Sequence, residues 1–200
     1  MRTRLVFCFL ALIGLAGCAW FLPNMFFDGG TIFDGDRAYS VHPSIVVPEE
    51  NVGDAVGDSN GGIVYRINRL STKEWLAMCP DHNLDCFAYQ ENHLPKLDIQ
   101  RFDPYQAEIR PTFGNGRIVT IRDPGKIRLL IDTFLTRPDV KSAHQRHKRI
   151  KLNRLVQFYS KKYPSLIYEW NYEVDADGRR YLMGDGKVVE LGDVLKREIR

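Results

Sequence analysis

The most constraining feature of this 200-residue chain is a strictly alternating segment near its C-terminal end. One set of alternate positions is apolar or aromatic and consists of Leu166, Tyr168, Trp170, Tyr172 and Val174. Because side chains alternate between the two faces of a β-strand, this period of two predicts a half-buried strand. Turn sequences at 175–178 and 184–186 each lead into another short strand-like stretch. The segment therefore predicts an antiparallel meander.

A helix that can cover this strand is predicted upstream. Asp123 supplies an N-cap, and Pro124 stands at the first helical position, where its missing N–H costs nothing. The apolar positions fall on one helical face and are Ile127, Leu130, Ile131 and Phe134. We expect the helix to pack on the aromatic side of the sheet, which makes the aromatic stripe core. The alternative is that the stripe is an exposed platform for a sugar or a peptide.

The N-terminal half is predicted to be mainly β. A hairpin is expected from Thr31 to Val41, and Ile63–Ile67 alternates like a strand. The Pro-, Gly- and Asp-rich segment 42–62 is predicted to be a surface loop that holds one short ordered piece around Asn51 to Val56. Residues 91–112 are predicted to be an irregular linker. We therefore predict an α+β fold in two modules: residues 31–95, mainly β, and residues 113–200, with an antiparallel sheet and the amphipathic helix.

The first residues indicate where the chain resides. Arg2 and Arg4 precede an apolar run, which is the layout of a secretory signal peptide. The residues Leu15-Ala16-Gly17-Cys18 resemble the lipobox of bacterial lipoproteins. In that family the Cys thiol receives a diacylglyceryl group, with palmitate-type acyl chains, and cleavage leaves the lipidated Cys as the new N-terminus. The resemblance implies a signal peptide at 1–17, lipid at Cys18, a tether at 18–30, and a place on the extracytoplasmic face of the cell membrane.

An uncleaved signal anchor is the alternative to lipidation. The uncharged run continues to Leu22 and so reaches about 18 residues, the length at which a membrane span becomes possible. Both readings place the body of the protein outside the cytoplasmic membrane. A looser resemblance links the stretches 32–35, 52–57 and 63–65, and the strand–helix–strand pattern after Arg117, to small uncharacterised Gram-positive lipoproteins. That group supplies no catalytic residues to transfer.

If cleavage occurs before Cys18 and that residue carries the lipid, two further cysteines remain in the mature chain. Cys79 and Cys86 flank a turn-rich loop, and an even pair in an oxidising compartment predicts a disulfide that clasps a hairpin. The alternative is a zinc site that adds His82 and His93. Its spacing matches no standard zinc motif, so neither a metal nor another cofactor is expected.

Charge is distributed unevenly along the chain. The formal net charge is +3, and removal of Arg2 and Arg4 with the signal leaves about +1, which favours no particular partner. Between Asp139 and Glu169 there is no acidic residue, although eight Lys and Arg residues occur there. Within this basic segment, Lys148, Arg149 and Lys151 are the candidate contact with an anionic envelope polymer, lipid headgroups or an acidic partner protein. Nucleic acid is not expected outside the cell, and a solvated face is the simpler explanation.

Catalytic motifs are not found in the sequence. It contains no Gly-x-Ser-x-Gly, Walker, dinucleotide-binding or His-Glu-x-x-His pattern. The pattern Asp175-x-Asp177-Gly178 lacks the further ligands of a calcium loop and suits a turn. The sequence therefore predicts a non-catalytic binding or accessory lipoprotein of the cell envelope. The alternative is an exported enzyme that acts on envelope material.

Overall fold

The computed structural model of the protein describes residues 24–28, 30–79, 85–112, 117–144 and 150–194. Within these ranges thirteen strands form one sheet. The strands are β1 (Asn24–Asp28), β2 (Thr31–Asp34), β3 (Arg37–Val47), β4 (Val52–Ser59), β5 (Gly62–Ile67), β6 (Trp75–Met78), β7 (Cys86–Glu91), β8 (Pro104–Pro111), β9 (Val119–Ile121), β10 (Ile150–Ser160), β11 (Ile167–Asp175), β12 (Arg180–Gly184) and β13 (Lys187–Glu190). The helices are α1 (Ile99–Phe102), α2 (Pro124–Thr136) and α3 (Lys141–His144), with a 3₁₀ turn at Glu49–Asn51. The mostly antiparallel, sheet-dominated arrangement confirms the α+β class.

The first seven strands form a closed ring. β1 pairs with both β2 and β4, and β2 pairs with β3. From β4 the ring continues through β5, β6 and β7, and β7 pairs with β3. Gly35 makes the turn between β2 and β3 at a φ of 58°, a conformation that suits a residue without a Cβ atom. The hairpin predicted from Thr31 to Val41 is confirmed.

Each strand of the ring contributes to one small apolar cluster. On β6, for example, Leu76 and Met78 join this cluster, whereas Trp75 and Ala77 join the larger core outside the ring. The cluster consists of Met25, Ile32, Tyr39, Val64, Leu76, Met78 and Tyr89, with Val56 packed against it. Alternation along the strands thus sends one face into the ring and the other towards the rest of the molecule.

The remaining strands extend the sheet as an open layer in the order β11, β10, β8, β9. The layer joins the ring through β3, where Val46 lies opposite Ile167 on β11. β12 pairs with β11 further along, and β13 pairs with β12. The loop after α2 covers the outer edge of β13, because Val140 donates its N–H to the Val188 carbonyl at 2.8 Å. Strand β3, eleven residues long, therefore belongs to both parts of the sheet.

Helix α2 begins as the sequence predicts. The Asp123 carboxylate accepts hydrogen bonds from the backbone N–H of Gly125 at 2.8 Å and of Lys126 at 3.2 Å. All four residues of the predicted stripe are buried. At the end of the helix, the Phe134 ring stacks on Trp170 of β11 with 4.1 Å between the ring centroids. The helix therefore lies on the aromatic side of β11, which we call the inner face of the sheet.

The aromatic residues of β11 form the centre of the core. Tyr168, Trp170 and Tyr172 are each at most 1% exposed, which confirms the prediction that the stripe is core. The turn between β12 and β13 closes over them, since Asp185 accepts hydrogen bonds from the Tyr168 hydroxyl at 2.7 Å and from Trp170 Nε1 at 3.4 Å. A Cβ atom on Gly184 would overlap the Trp170 ring, so this close approach requires glycine.

The predicted irregular linker at 91–112 is wrong for most of its length. It contains α1 and the strand β8, which lies between β10 and β9 in the sheet. Ala107 and Ile109 of β8 are buried, and the two prolines of β8 stand at its ends, where they interrupt no interior hydrogen-bond ladder.

The predicted surface loop at 42–62 and the predicted tether at 18–30 also need correction. Residues 42–47 continue β3, and His42 is buried with Nε2 2.7 Å from the Leu97 carbonyl oxygen and Nδ1 accepting the Ser44 N–H. This satisfied histidine belongs in a core rather than in a loop. β4 takes residues 52–59, and residues 24–28 of the tether form β1.

The division into modules 31–95 and 113–200 stays a prediction. The larger apolar core draws on both segments, with Ile45 and Trp75 from the first and Phe158 and Trp170 from the second. The pairing of β3 with β11 also crosses that division. The sequence also predicts a last short helix from Val194 to Ile199, capped by Asp193, and this stretch lies almost wholly outside the described residues.

Candidate functional site

The disulfide predicted from the sequence is present. Cys79 and Cys86 are bonded, with 4.2 Å between their Cα atoms, and Cys86 begins the strand β7 that pairs with β6. The bond therefore clasps the β6–β7 hairpin as predicted. Asp85 directly precedes the bonded Cys86 and is exposed, and Phe87 on β7 is 49% exposed. His82, part of the alternative zinc site, lies outside the described residues, and His93 pairs with Glu91.

A hydrogen-bonded row of polar side chains crosses the outer face of the sheet, opposite the aromatic stripe. We call it the polar band, and its members are Gln106, Glu108, Arg110, Gln157, Tyr159 and Glu169. Strand register places them together, because Gln157 on β10 lies opposite Glu169 on β11 and Glu108 on β8. The band thus spans three adjacent strands.

Gln157 is the centre of the polar band. Its Oε1 accepts a hydrogen bond from Arg110 at 3.0 Å, and its Nε2 donates to Glu169 at 2.9 Å. A guanidinium can only donate, so the amide oxygen must face Arg110, and the amide nitrogen is left to face Glu169. The Gln157 side chain is almost fully buried, and its orientation is set by these two charged neighbours.

The rest of the band continues this network towards the edge of the sheet. The Tyr159 hydroxyl lies 3.1 Å from Glu108 Oε2, and the other oxygen of Glu108 accepts from Gln106 Nε2 at 3.0 Å. Arg122, beyond β9, donates to Gln106 Oε1 at 3.1 Å. Each side chain of the band is therefore held by at least one neighbour, which leaves a preordered polar surface.

An apolar row runs beside the polar band on the same face. Strand register aligns Phe87 on β7, Val46 on β3, Ile167 on β11 and Tyr159 on β10. Neighbouring strands lie about 4.8 Å apart, so this row extends across roughly 14 Å. Phe87 is the exposed member of this row, Val46 and Tyr159 are half-buried and Ile167 is buried, so the apolar contact beside the polar band is centred on Phe87.

The carboxyl groups at this face lie in an unfavourable environment for charge. Burial raises the pKa of Glu169, and the negative charge of Asp85 raises this pKa further. The hydrogen bond from Gln157 lowers it, but by less than burial raises it. Loss of hydration and the charge of Glu50 raise the pKa of Asp85. Burial and the neighbouring Glu108 raise the pKa of Tyr159 to about 12. The face therefore favours ligands that donate hydrogen bonds or carry positive charge.

Sequence reasoning missed the polar band for an identifiable reason. Polar residues at 106, 108 and 110 alternate with the apolar Ala107 and Ile109, which is the period of a strand. The prolines at both ends of this short stretch led to its prediction as a linker. The polar alternate positions of 166–174 were recognised, but their partners on β8 come from a distant part of the chain.

The predicted basic contact is only partly described. Lys151 is exposed on β10, whereas Lys148 and Arg149 lie outside the described residues. Among the described residues of the basic segment, Lys151 and Lys161 do not share a patch, because Lys161 stands at the opposite end of β10, about 33 Å away along the strand. The Lys161 Nζ lies 5.4 Å from the centroid of the Tyr105 ring. His144, at the end of α3, lies 2.9 Å from Glu173, which fastens the chain to the outer face just before residue 145.

Other predicted sites have structural roles or lie beyond the described ranges. The Asp175 carboxylate accepts hydrogen bonds from the backbone of Arg179 and from the Tyr181 hydroxyl, which is the work of a turn residue. Cys18 and the signal peptide are not among the described residues. Its lipidation therefore stays a prediction.

Comparisons with models of protein families, with curated proteins and with solved structures each found no match. In the part of the chain that the structure describes, no helix combines the length and the apolar character needed to cross a membrane. The same residues contain no group of three or more His, Cys, Asp or Glu side chains suited to a metal ion. What the protein binds must therefore be inferred from the geometry of its own surface.

Proposed function

We propose that this chain is a membrane-anchored extracytoplasmic lipoprotein with a non-catalytic binding role in the cell envelope. The main support for the binding role is the polar band on the outer face of the sheet. Its side chains are already ordered by hydrogen bonds between Gln157, Arg110 and Glu169, so a ligand would immobilise few of them on binding. The exposed Phe87 beside the band adds an apolar contact of the kind that anchors interfaces.

Lipidation is tested by labelling growing cells with a fatty-acid analogue. The wild type and Cys8→Ala should carry the label, whereas Cys18→Ala should not. Equal labelling of the Cys18→Ala variant would contradict lipidation at Cys18 and favour an uncleaved signal anchor.

Binding through the band is tested with the full chain, purified in detergent, and isolated cell-envelope material in a sedimentation assay. Glu108→Gln combined with Glu169→Gln keeps the side-chain shapes and removes two charges, and should weaken binding at least tenfold. The control is Glu190→Gln, an exposed change on β13, which should bind as the wild type does. Unchanged binding by the double variant would exclude the band as the contact surface.

The basic segment is proposed as a second, weaker contact with an anionic surface. Near such a surface each Lys or Arg adds about 1 kcal/mol at most. A variant with Lys148, Arg149 and Lys151 changed to Gln should therefore bind anionic vesicles less tightly, and raising the salt should abolish the difference. Lys161→Gln with Lys162→Gln is the control from the opposite end of β10. Identical, salt-insensitive binding by the triple variant and the wild type would mean that the segment is a solvated face.

An exported enzyme acting on envelope material is the second candidate. The observation that favours it is the pair of carboxyl groups with raised pKa, Asp85 and Glu169, because a carboxyl of raised pKa can act as a general acid near neutral pH. Release of soluble fragments from envelope material by the wild type, but not by Glu169→Gln, would establish this function in place of simple binding.

A further inference from the structure

A groove of about 320 Å³ lies between α1 and α2, on the side of the molecule where helix α2 covers the sheet. Its floor includes the buried side chains of Ile99, Ile127 and Ile131. Ligand pockets of a few hundred Å³ with an apolar floor and a few polar groups are typical of sites for small molecules. The groove takes no part in the polar band or the basic segment.

Charged groups of both signs stand at the rim of the groove. Arg128 and Asp132 are one turn apart on α2, and Asp103 comes from the opposite wall, where it ends α1 with a φ of 55°. All three are exposed. In the described part of the chain none of the three side chains forms an ion pair of 4.0 Å or less, even though Arg128 and Asp132 have the spacing of a helical pair.

We propose that the α1–α2 groove binds a zwitterion of about the size of a dipeptide. Arg128 would take the carboxylate, since a guanidinium matches a carboxylate with two parallel hydrogen bonds. Asp103 and Asp132 would take the ammonium group, and an apolar side chain would rest on the isoleucine floor. The charge pattern selects this ligand, because a groove with unpaired groups of both signs matches a molecule that carries both.

This site is independent of the envelope-binding function proposed above. The groove's volume of about 320 Å³ is large enough for a molecule of dipeptide size. A purely anionic ligand would face two carboxylates at the rim, and a purely cationic one would face Arg128. Each of these alternatives places like charges together and is disfavoured.

The first experiment titrates the full chain in detergent with the free dipeptide leucyl-alanine by calorimetry. The expected result is saturable binding that weakens at least tenfold when the amine is acetylated, and equally when the carboxylate is converted to an amide. A tenfold loss corresponds to about 1.4 kcal/mol. Undetectable binding of the free dipeptide, or equal binding of the blocked and free forms, would overturn the proposal.

The second experiment assigns the two ends of the ligand. Arg128→Gln should weaken binding of free leucyl-alanine several-fold and leave the weak binding of the amide form unchanged. Asp132→Asn should weaken the free dipeptide and leave the acetylated form unchanged. Arg117→Gln, which removes one exposed positive charge outside the groove, is the matched control. Equal losses from Arg128→Gln and Arg117→Gln would mean that general charge, rather than the groove, governs binding.

Discussion

The two faces of strands β10 and β11 differ in the chemistry of their buried side chains. On the inner face, Trp170 packs between Phe134 of α2 and Phe158 of β10 and is fully buried. On the outer face, Gln157 is also almost fully buried, yet its neighbours are Arg110 and Glu169. Burial alone does not distinguish a core from a site; the chemistry of the buried groups does.

This difference predicts how each face responds to change. The inner face stabilises the fold because its apolar side chains are removed from water and closely packed. Truncating one of these side chains therefore lowers stability through lost packing. On the outer face, hydrogen bonds between side chains replace hydrogen bonds to water, so they add little to the free energy of unfolding. Removing one partner leaves a buried polar group without a hydrogen bond, and this lowers the free energy of unfolding. In the described strand β11, the outer face carries the carboxyl groups of Glu169 and Glu173, whereas the inner face carries the aromatic stripe.

The largest effect is expected on the inner face. Trp170→Ala should reduce the free energy of unfolding by about 3–5 kcal/mol, because it leaves a cavity beneath α2. Denaturant unfolding gives the value, and the neighbouring exposed residue provides the control, Asn171→Ala, which should change stability by less than about 0.5 kcal/mol. An unchanged unfolding midpoint for Trp170→Ala would contradict the assignment of the stripe to the core.

Removal of the disulfide, which clasps the β6–β7 hairpin, comes next. The loop-entropy model gives roughly 2.5 kcal/mol for closing a loop of about eight residues. Cys79→Ala combined with Cys86→Ala should lose about that much stability in denaturant unfolding. Reduction of the wild type should lower its stability by a similar amount. Reduction of the double variant should leave its stability unchanged. Equal midpoints for oxidised and fully reduced wild type would refute this contribution.

Disruption of the polar band should cost less than the loss of Trp170, and no more than about the loss of the disulfide. Gln157→Leu keeps the side-chain size but leaves Arg110 and Glu169 without their shared partner. The expected loss is about 1–3 kcal/mol, measured by thermal or denaturant unfolding. Thr120→Ala, on the exposed edge strand β9, is the control. A variant as stable as the wild type would show that the network is formed only loosely in solution.

The smallest effect concerns the pH dependence of the outer face. The pKa of Glu169 is raised in the folded protein, mainly by burial, so the folded state holds a proton more tightly than the unfolded state does. Stability should therefore fall as pH rises from the ordinary Glu pKa to the raised one. Glu169→Gln should flatten this fall, with a change within about 1 kcal/mol. Unfolding curves at several pH values between 4 and 8 measure it, and a wild-type profile identical to that of the variant would contradict the shift.

The sequence predicts the inner face better than the outer one because the inner face depends on local patterns. The alternation of residues 166–174, the N-cap at Asp123 and the stripe of α2 are each visible within a dozen residues. The disulfide follows from the number of cysteines and the compartment. These features needed no knowledge of distant partners.

The outer face and the ring depend on pairings between distant segments. Glu108 meets Gln157 only because β8 inserts between β9 and β10, and β1 closes the ring by pairing with β4 about 34 residues later. Loop closure over such distances has an entropic cost that no local pattern records. The same holds for Asp85, whose position near Glu169 depends on the β6–β7 hairpin and on β3.

If Cys18 carries a lipid, the closure of the ring by β1 also limits how far the protein can stand from a bilayer. Strand β1 begins at Asn24, six residues after Cys18. A fully extended stretch of that length spans at most about 20 Å. With a lipid on Cys18, the ring would lie within about 20 Å of the lipid headgroups. The protein could then contact only molecules close to the membrane surface.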